Sequence, residues 1–331
     1  MQRIFSGIQP SGVPTLGNYL GAIRNWVALQ RDHECLYCVV DLHAITQWQD
    51  PKQLAAQTRE MTAALLACGI DPAAHVLFHQ SAVPAHTRLA WIFNCVARLG
   101  WLNRMTQFKD KAGKDREQAS TGLYVYPNLM AADILAYHAT RVPVGDDQRQ
   151  HVELTRDLAQ RFNHRYGETF VVPTGFYPET GARIYDLQDP TSKMSKSAAS
   201  PNGLINILEE PKKTAKKIKS AVTDDGTEVR FDREAKPGVS NLLTIHSALS
   251  RRPVDALVAE YAGRGYGDLK KDVAEVVVAA VEPFQVRMAE LMDDPAELDR
   301  ILAKGAARAT EIARPTRDAV YDAVGVLPAQ R

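Results

Sequence analysis

The sequence predicts an α/β protein in two parts, and three observations carry that prediction. Up to about residue 187, short apolar runs suited to buried strands alternate with amphipathic stretches suited to helices, as in the βαβ units of a parallel sheet. The first apolar run leads into a turn rich in glycine and proline and then into a helical pattern. Beyond Pro201 helical periodicity dominates. We therefore expect a Rossmann-like parallel sheet domain over residues 1–200, with an insertion around 80–135, and an all-helical domain over residues 201–331.

The individual elements follow from apolar periodicity and from capping residues. Strands are predicted at residues 4–8, 36–45, 76–78, 142–144 and 181–187. Asp50, Pro51 and Gly69 suit the N-cap, the first turn and the C-terminal glycine of a helix over residues 50–68. Pro127 suits the first turn of a helix over residues 126–138. Further helices are predicted from Tyr19, after Pro84, and over residues 150–162, 204–208, 212–221, 239–250, 253–261 and 266–292.

Composition and charge are those of an ordinary globular chain. Of 331 residues 45% are hydrophobic, and 40 Lys and Arg against 39 Asp and Glu leave a net charge of +1. That balance argues against a non-specific nucleic-acid coat, but it is compatible with one folded RNA partner because local patches set phosphate contacts. We expect no membrane contact, since no apolar run is long enough to span a bilayer and no secretory signal opens the sequence. The four cysteines fit a reducing cytosol, and Cys35 and Cys38 are expected in the core on opposite faces of a strand rather than at a metal.

The glycine-rich turn after the first strand is typical of a phosphate or nucleotide cradle. Glycine lets the backbone approach a ligand, and a helix N-terminus offers unpaired N–H groups and the positive end of its dipole. The spacing is neither G-x-G-x-x-G nor G-x-x-x-x-G-K-[ST], so a purely structural turn is about as compatible with it. A second candidate is Gly145-Asp146-Asp147 at the end of the strand 142–144, where the acids suit either ribose hydroxyls or a helix N-cap.

Asp133 lies on the apolar stripe of a predicted helix, with Met130, Ile134 and Tyr137 at helical spacing. A carboxylate is costly to bury unless it meets a donor or a cation. It is therefore expected either in a buried salt bridge with an arginine such as Arg141 or in contact with a ligand N–H. The lysine run at residues 212–219 leaves two interpretations open in the same way, a solvated helix face or an RNA backbone contact.

An ordered set of motifs carries a family resemblance. Lys193-Met194-Ser195-Lys196-Ser197 resembles the KMSKS loop of class I aminoacyl-tRNA synthetases, and Thr15-Leu16-Gly17-Asn18 resembles their T-[IL]-G-N turn, with Asn18 in place of the more usual histidine. Further matches are SGIQPSG, GNYLGA, DLHAIT, MTQFKDK, LMAADIL, VPVGDDQ, ELTRDLAQRFN and PGVSNLL. Over most of its length the chain thus resembles the bacterial-type tryptophanyl-tRNA synthetases.

The resemblance implies a reaction in two steps. The carboxylate of L-tryptophan attacks the α-phosphate of ATP, giving tryptophanyl-adenylate and pyrophosphate, and the tryptophanyl group then passes to the terminal ribose of tRNA(Trp). It also implies Mg²⁺ arriving with ATP, anticodon recognition by the helical domain, a cytoplasmic location and a homodimer. The sequence itself shows neither an Asp/Glu cluster nor an H-E-x-x-H motif that would indicate a dedicated metal site. The segment 83–102 with Trp91, Phe93 and Trp101 is a candidate dimer interface, and ordinary core packing explains these residues nearly as well.

The resemblance also assigns site residues. Those implied in catalysis are Thr15, Asn18, Lys111, Lys193 and Lys196. Those implied in ATP binding are Gln9, Pro10, Ser11, Gly17, Asn18, Gly145, Asp146, Asp147, Ile184, Lys193, Met194, Ser195, Lys196 and Ser197. For tryptophan, Asp133 is implied to accept the indole N–H, and the other residues implied are Phe5, Gly7, His43, Met130, Val142 and Val144 around the ring and Tyr126 and Gln148 near the ammonium.

Four alternatives compete with this interpretation. A tyrosyl-tRNA synthetase would share the fold and the helical tail, but LMAADIL and SGIQPSG favour tryptophan. A small-molecule nucleotidyltransferase would need neither KMSKS nor the helical domain. An RNA-binding paralogue without catalysis would be expected to lose the loop lysines or the glycines, all of which are present. A Rossmann oxidoreductase would carry the dinucleotide fingerprint, which is missing.

Overall fold

A computed structural model describes residues 2–108, 116–177, 183–194 and 200–327. Within these ranges five parallel strands form one sheet in the order β3-β2-β1-β4-β5. The strands are β1 Arg3–Ile8, β2 Glu34–Val39, β3 Val76–His79, β4 Arg141–Pro143 and β5 Thr174–Phe176. The chain runs from β1 outward to β3 and then returns to place β4 on the other side of β1. The strand order therefore reverses between β1 and β4, which is where ligands bind in open α/β sheets.

Helices cover both faces of this sheet and make up the C-terminal part. Within the described ranges they are α1 Leu16–Asn18, α2 Arg24–Leu29, α3 Asp41–Ala44, α4 Pro51–Ala67, α5 Ala85–Val96, α6 Leu99–Leu102, α7 Thr121–Leu135, α8 Arg149–Tyr166, α9 Pro211–Lys219, α10 Pro237–Ser250, α11 Val254–Glu260, α12 Tyr266–Met292 and α13 Pro295–Val324. A π-helical turn, Tyr19–Ile23, joins α1 to α2. Such wide turns are frequent at functional sites. None of the described helices combines the length and apolar content needed to cross a bilayer.

The predicted fold class is confirmed, and so is the prediction that Cys35 and Cys38 lie in the core on opposite faces of a strand. Asp50 caps α4 by accepting N–H bonds from Lys52 and Gln53, as the sequence predicts. Cys35 and Cys38 are both buried, and they belong to core clusters on opposite faces of the sheet. The division into two domains at residue 200 stays a prediction.

Two predicted elements begin or end elsewhere. The predicted strand 36–45 stops at Val39, and α3 begins at Asp41, because the Asp41 and Gln80 side chains accept the backbone N–H of Leu42. Pro127 lies inside α7 rather than in its first turn. The helix begins earlier because the Ser120 hydroxyl accepts the Leu123 N–H and thereby caps it.

Two other predicted elements are wrong. Residues 204–208 are not a helix: their backbone pairs with the first turn, through Leu16 N–H to the Ile205 carbonyl at 2.8 Å and Ile207 N–H to the Pro14 carbonyl at 3.2 Å. The described part of the predicted strand 181–187 contributes only an isolated bridge between Tyr185 and Lys193. Residues 181–182 lie outside the described ranges.

The C-terminal helix α13 is absent from the sequence prediction and has a structural role in the sheet. It returns from the helical region and packs along β3, an edge strand that would otherwise present unpaired backbone groups. The approach is close at Gly305, where an added Cβ would collide with the Leu77 carbonyl. Glycine at this position therefore lets the helix lie directly on the strand.

Candidate active site

A cavity of about 420 Å³ lies at the carboxyl ends of β1 and β4, where the strand order reverses. Its volume is in the range of small-molecule pockets. Every residue that the sequence assigns to tryptophan lines it: Phe5, Gly7, His43, Tyr126, Met130, Asp133, Val142, Val144 and Gln148. Of the residues assigned to ATP, Gln9 and Asp147 also line this cavity. The walls are largely apolar, with a few converging polar groups.

Asp133 is the central polar group of the cavity. It projects from α7, and its side chain is only 2% exposed. Gln80 Nε2 donates to its Oδ1 at 2.7 Å, and His86 Nδ1 lies 2.6 Å from the same oxygen. His43 Nε2 lies 2.7 Å from Oδ2. The partners are thus two histidines and an amide, and not the arginine considered from the sequence, since Arg141 stacks over Phe176 instead.

This environment keeps Asp133 ionised. Burial, the largest influence, would by itself raise its pKa, but the charge of His43 and the hydrogen bonds of His43 and His86 outweigh burial and hold the pKa of the carboxyl well below its ordinary value. An ionised carboxylate only accepts hydrogen bonds. Asp133 therefore presents a fixed acceptor to whatever enters the cavity.

Tyr126 supplies a second polar group at the cavity wall. Its ring meets the His43 ring edge-on at 6.0 Å, and its hydroxyl lies 2.7 Å from His151 Nε2. Burial, with a smaller contribution from Asp147, raises the pKa of Tyr126 to about 12. The side chain is therefore a neutral hydroxyl at physiological pH.

Asp147 and Gln148 follow β4 and line the same cavity. Gln148 Nε2 donates to Asp147 Oδ2 at 2.9 Å, and Gln107 Nε2 donates to the Asp147 carbonyl at 3.4 Å. The N-cap of α8 is Gln148, so Asp147 does not serve as the helix cap that the sequence allowed. Its exposed carboxylate remains at the cavity rim beside Gly145. The side chain of Asp146 lies outside the described part of the structure.

The first turn orients the Asn18 side chain. Its Oδ1 accepts the Thr15 backbone N–H at 2.9 Å, while the Asn18 N–H donates to the Thr15 hydroxyl at 3.2 Å. Because the oxygen must face that N–H, the carboxamide nitrogen is left as a pair of donors pointing away from the turn. Gly12, with φ of 85°, adopts the left-handed conformation that lets the preceding loop close.

The base of the lysine loop packs on the same turn. Met194 is buried, and its backbone N–H donates to the Ile184 carbonyl at 3.0 Å. Its carbonyl oxygen lies 3.2 Å from the position of a Cβ on Gly17, so a side chain larger than hydrogen would press on the loop. Lys193 is exposed beside it. The predicted residues Lys111, Ser195, Lys196 and Ser197 lie outside the described ranges.

The structure thus groups the predicted residues in two places. One group lines the cavity, and the other consists of the first turn with Ile184, Lys193 and Met194, which meet where the Met194 carbonyl lies against Gly17. The turn residues Pro10, Ser11, Thr15, Gly17 and Asn18 belong to this second group.

Sequence reasoning missed the residues behind Asp133. Gln80, His86 and Tyr137 are all buried and reach the carboxylate directly or through one hydrogen bond. Tyr137 was assigned only to the apolar stripe. The available signal was positional: Gln80 directly follows β3 at the ligand-binding edge of a parallel sheet.

Comparison with known proteins places the chain in a family. The family model described as tRNA synthetases class I (W and Y) matches residues 1–282. The chain is 58% identical to tryptophan–tRNA ligase 2 of Streptomyces avermitilis, over 99% of this chain and 98% of the relative. It is 57% identical to the tryptophan–tRNA ligase of Mycobacterium leprae, over 98% of this chain and 97% of the relative.

Solved structures agree with the sequence relatives. The tryptophanyl-tRNA synthetase of Mycoplasma pneumoniae matches with a TM-score of 0.90 and 37% identity, over 100% of this chain and 99% of that one. The enzyme of Campylobacter jejuni, complexed with ADP and tryptophan, matches with a TM-score of 0.84 and 35% identity, over 98% and 100% of the two chains. The tyrosyl-tRNA synthetase of Aeropyrum pernix, at 19% identity and a TM-score of 0.67 over 95% and 90%, shares the fold alone. The chain therefore belongs to the class I tRNA synthetase family of tryptophan and tyrosine, and it groups with the bacterial tryptophanyl members.

Proposed function

We infer that this chain is a tryptophan–tRNA ligase. In the first step a carboxylate oxygen of tryptophan attacks the α-phosphorus of ATP, a new O–P bond forms, and the bond to the β-phosphate oxygen breaks to release pyrophosphate. In the second step a hydroxyl of the terminal ribose of the tRNA attacks the activated carbonyl carbon, and AMP leaves. The substrate carboxylate is itself the nucleophile of the first step, so the protein must align the reactants and stabilise charge.

The observation that carries the amino-acid assignment is the ionised Asp133 in an otherwise apolar cavity. An apolar wall discriminates similar side chains by only about 1–3 kcal/mol, whereas a buried acceptor left unpaired by the wrong ligand rejects it by roughly 10⁴-fold or more. We assign Asp133 as the acceptor of the indole N–H, with Phe5, Met130 and Val144 against the ring. Phenylalanine offers no donor to this carboxylate.

The polar groups at the rim suit the backbone atoms of the amino acid. Tyr126 and Gln148 are assigned to the ammonium group, because both line the cavity and each carries an oxygen that can accept a hydrogen bond. Gln9, at the end of β1, lies between the cavity and the first turn and is assigned to the junction of the two substrates. This places the tryptophan carboxylate toward the ATP side.

We assign the phosphates of ATP to the surface formed by the first turn and the lysine loop. Asn18 would donate from its carboxamide nitrogen, and Lys193 would supply positive charge to the leaving pyrophosphate. Asp147 would accept from the ribose hydroxyls. Lys111 and Lys196 stay predicted partners of the phosphates. Mg²⁺ is proposed as the counter-ion of the ATP phosphates; among the described residues no three His, Cys, Asp or Glu side chains cluster as a metal site.

The helical region is proposed to bind the tRNA. On α9, the side chains of Lys212, Lys213, Lys216 and Lys219 are exposed. Lys217 differs, because it pairs with Glu209 at 2.7 Å and donates to the Leu204 carbonyl. Four lysines of this helix are therefore exposed and suited to contact phosphates, whereas Lys217 has a structural role.

We propose that the protein is a homodimer through the face that carries Trp91 and Leu99, whose exposed fractions are 68% and 72%. Phe93, considered for this interface from the sequence, is instead fully buried in the core. Trp101 is half-buried, with Arg98 and Arg161 over its ring. The cytoplasmic location stays a prediction from the cysteine content.

Transfer of labelled tryptophan to tRNA tests this function directly. A tRNA(Trp) transcript should be charged with tryptophan, and a tRNA(Tyr) transcript with tyrosine should not. Charging of tRNA(Tyr) with tyrosine instead would favour the tyrosyl alternative, and absence of charging with either pair would contradict both.

A further inference from the structure

The buried groups behind Asp133 form an ordered chain of donors. Gln80 has its Oε1 near the backbone N–H groups of Leu42 at 3.1 Å and His43 at 3.3 Å. Because that oxygen must accept these bonds, the Gln80 nitrogen must face Asp133, and the amide cannot be flipped. The backbone at the start of α3 thus fixes which end of Gln80 meets the carboxylate.

His86 is fixed in the same way from its far side. Its Nδ1 faces Asp133, and its Nε2 lies 2.7 Å from the Tyr137 hydroxyl. Both His86 and Tyr137 are fully buried. Among the described contacts His86 Nε2 is the acceptor available to the Tyr137 O–H, so the hydroxyl donates to Nε2 and the neutral imidazole carries its proton on Nδ1.

The hydrogen bonds that Asp133 accepts are distributed unequally between its two carboxylate oxygens. A carboxylate has about four acceptor positions, two on each oxygen. Gln80 and His86 fill Oδ1, while His43 fills one position on Oδ2. Within the described residues, the position that is left lies on Oδ2, the oxygen shared with the cavity-lining His43.

We propose that Gln80 and His86, with Tyr137 behind His86, are positioning residues that hold Asp133 so that Oδ2 offers one acceptor to the indole N–H. This inference rests on the proposed function and extends it from Asp133 to a buried chain that no ligand touches. These hydrogen-bonded side chains allow Asp133 to accept from a single donor at a fixed place, because Oδ1 cannot turn toward the cavity without breaking its bonds to Gln80 and His86.

The test compares tryptophan with benzothienylalanine, in which sulfur replaces the indole N–H at nearly the same size. The ratio of kcat/KM for the two amino acids in ATP–pyrophosphate exchange reports the N–H contact alone, since every other contact is shared. Three variants alter these hydrogen bonds. Tyr137→Phe removes the hydroxyl that selects the His86 tautomer, and His86→Leu removes the N–H that donates to Asp133. His86→Asn restores a donor near the position of Nδ1.

We expect the preference for tryptophan to fall roughly tenfold or more in His86→Leu and Tyr137→Phe, because each loosens a hydrogen bond to a charged group. The loss should be in KM for tryptophan, with KM for ATP nearly unchanged. His86→Asn should recover most of the preference. Tyr37→Phe is the matched control: it removes a buried tyrosyl hydroxyl bonded at 2.8 Å to the Trp26 carbonyl, on the other face of the same sheet, and should leave the preference intact.

The outcomes distinguish the positioning role of His86 and Tyr137 from the contact of Asp133 with tryptophan. An unchanged preference in folded Tyr137→Phe and His86→Leu would overturn the positioning role while leaving tryptophan activation in place. If the wild-type protein activates tryptophan but does not prefer it over benzothienylalanine, the Asp133 contact and the positioning role are both overturned. If His86→Leu fails to fold, Tyr137→Phe still decides, since it removes a single oxygen.

Discussion

Asn18 Oδ1 accepts the backbone N–H of Thr15 at 2.9 Å, and the Thr15 hydroxyl accepts the Asn18 N–H at 3.2 Å. This reciprocal cap closes the turn ahead of the π-helical segment and, at the same time, decides the orientation of the Asn18 amide. The two roles of Asn18, in capping and in donating to phosphate, therefore reside in different atoms of one side chain.

That separation predicts opposite behaviour for two variants of Asn18. Asn18→Asp keeps an oxygen for the Thr15 N–H but replaces the donor with a negative charge, so the free energy of unfolding should change little while kcat/KM for ATP falls about 10²-fold or more. Asn18→Ala should lose both, with an added destabilisation of about 1 kcal/mol. Pyrophosphate exchange and urea unfolding measure the two effects. Full activity in Asn18→Asp would show that the amide nitrogen does not act on phosphate.

Ionisation of Asp133 makes the stability of the fold depend on pH. Its folded pKa lies below its value in the unfolded chain, so its contribution to stability is fully present above about pH 4 and is lost as pH falls through the folded pKa. Asp133→Asn removes the buried negative charge that faces His43, Gln80 and His86, and it should cost on the order of 3 kcal/mol at pH 7. Urea unfolding of both proteins should show this gap to narrow as the pH falls below about 4. A gap that widens in acid would contradict the assignment of an ionised carboxylate.

The fold class could be predicted from the sequence because alternating apolar runs indicate a parallel sheet and its ligand-binding edge, whereas the residues of the cavity wall came from the family resemblance. Asp133 was found since a carboxylate on an apolar stripe needs a partner. The identity of that partner could not be predicted: His43, Gln80 and His86 come from three separate segments, and only the folded chain brings them within 3 Å of one carboxylate.

Local signals also failed where tertiary contacts decide the conformation. Residues 204–208 have a helical pattern, but their backbone bonds to the first turn at Pro14 and Leu16. The strand β5 is only three residues, Thr174–Phe176, and so carries almost no apolar pattern. Pro127 suggested a helix start, yet the Ser120 cap begins α7 at Thr121.

Close packing of α13 on the sheet predicts a strong effect of one methyl group. Gly305→Ala would drive a Cβ into the Leu77 carbonyl, and the helix must move off β3, at a cost of about 1–3 kcal/mol typical of overpacking. Gly267→Ala is the matched control on α12, where an added Cβ meets nothing within 4 Å and alanine should be neutral or stabilising. Thermal unfolding of the two variants checks this. Equal melting temperatures would contradict the direct contact of α13 with β3.

The lysines of α9 predict an effect confined to the second step. Replacing Lys212, Lys213, Lys216 and Lys219 with alanine should raise KM for tRNA about tenfold or more and reduce the salt dependence of tRNA binding, while pyrophosphate exchange stays unchanged. Alanine at the exposed Lys52 and Lys304, on α4 and α13, serves as the control for loss of charge elsewhere. Unaltered aminoacylation by the α9 variant would assign those lysines to a solvated face.

Above all, we propose that an ionised Asp133 in this cavity selects tryptophan for activation by ATP. Amino-acid-dependent ATP–pyrophosphate exchange, run with tryptophan, with tyrosine and with no amino acid, tests it most directly. We predict exchange with tryptophan alone. Exchange with tyrosine in place of tryptophan would contradict the Asp133 assignment while keeping the fold and the lysine loop, and folded protein that supports exchange with neither would contradict the activity itself.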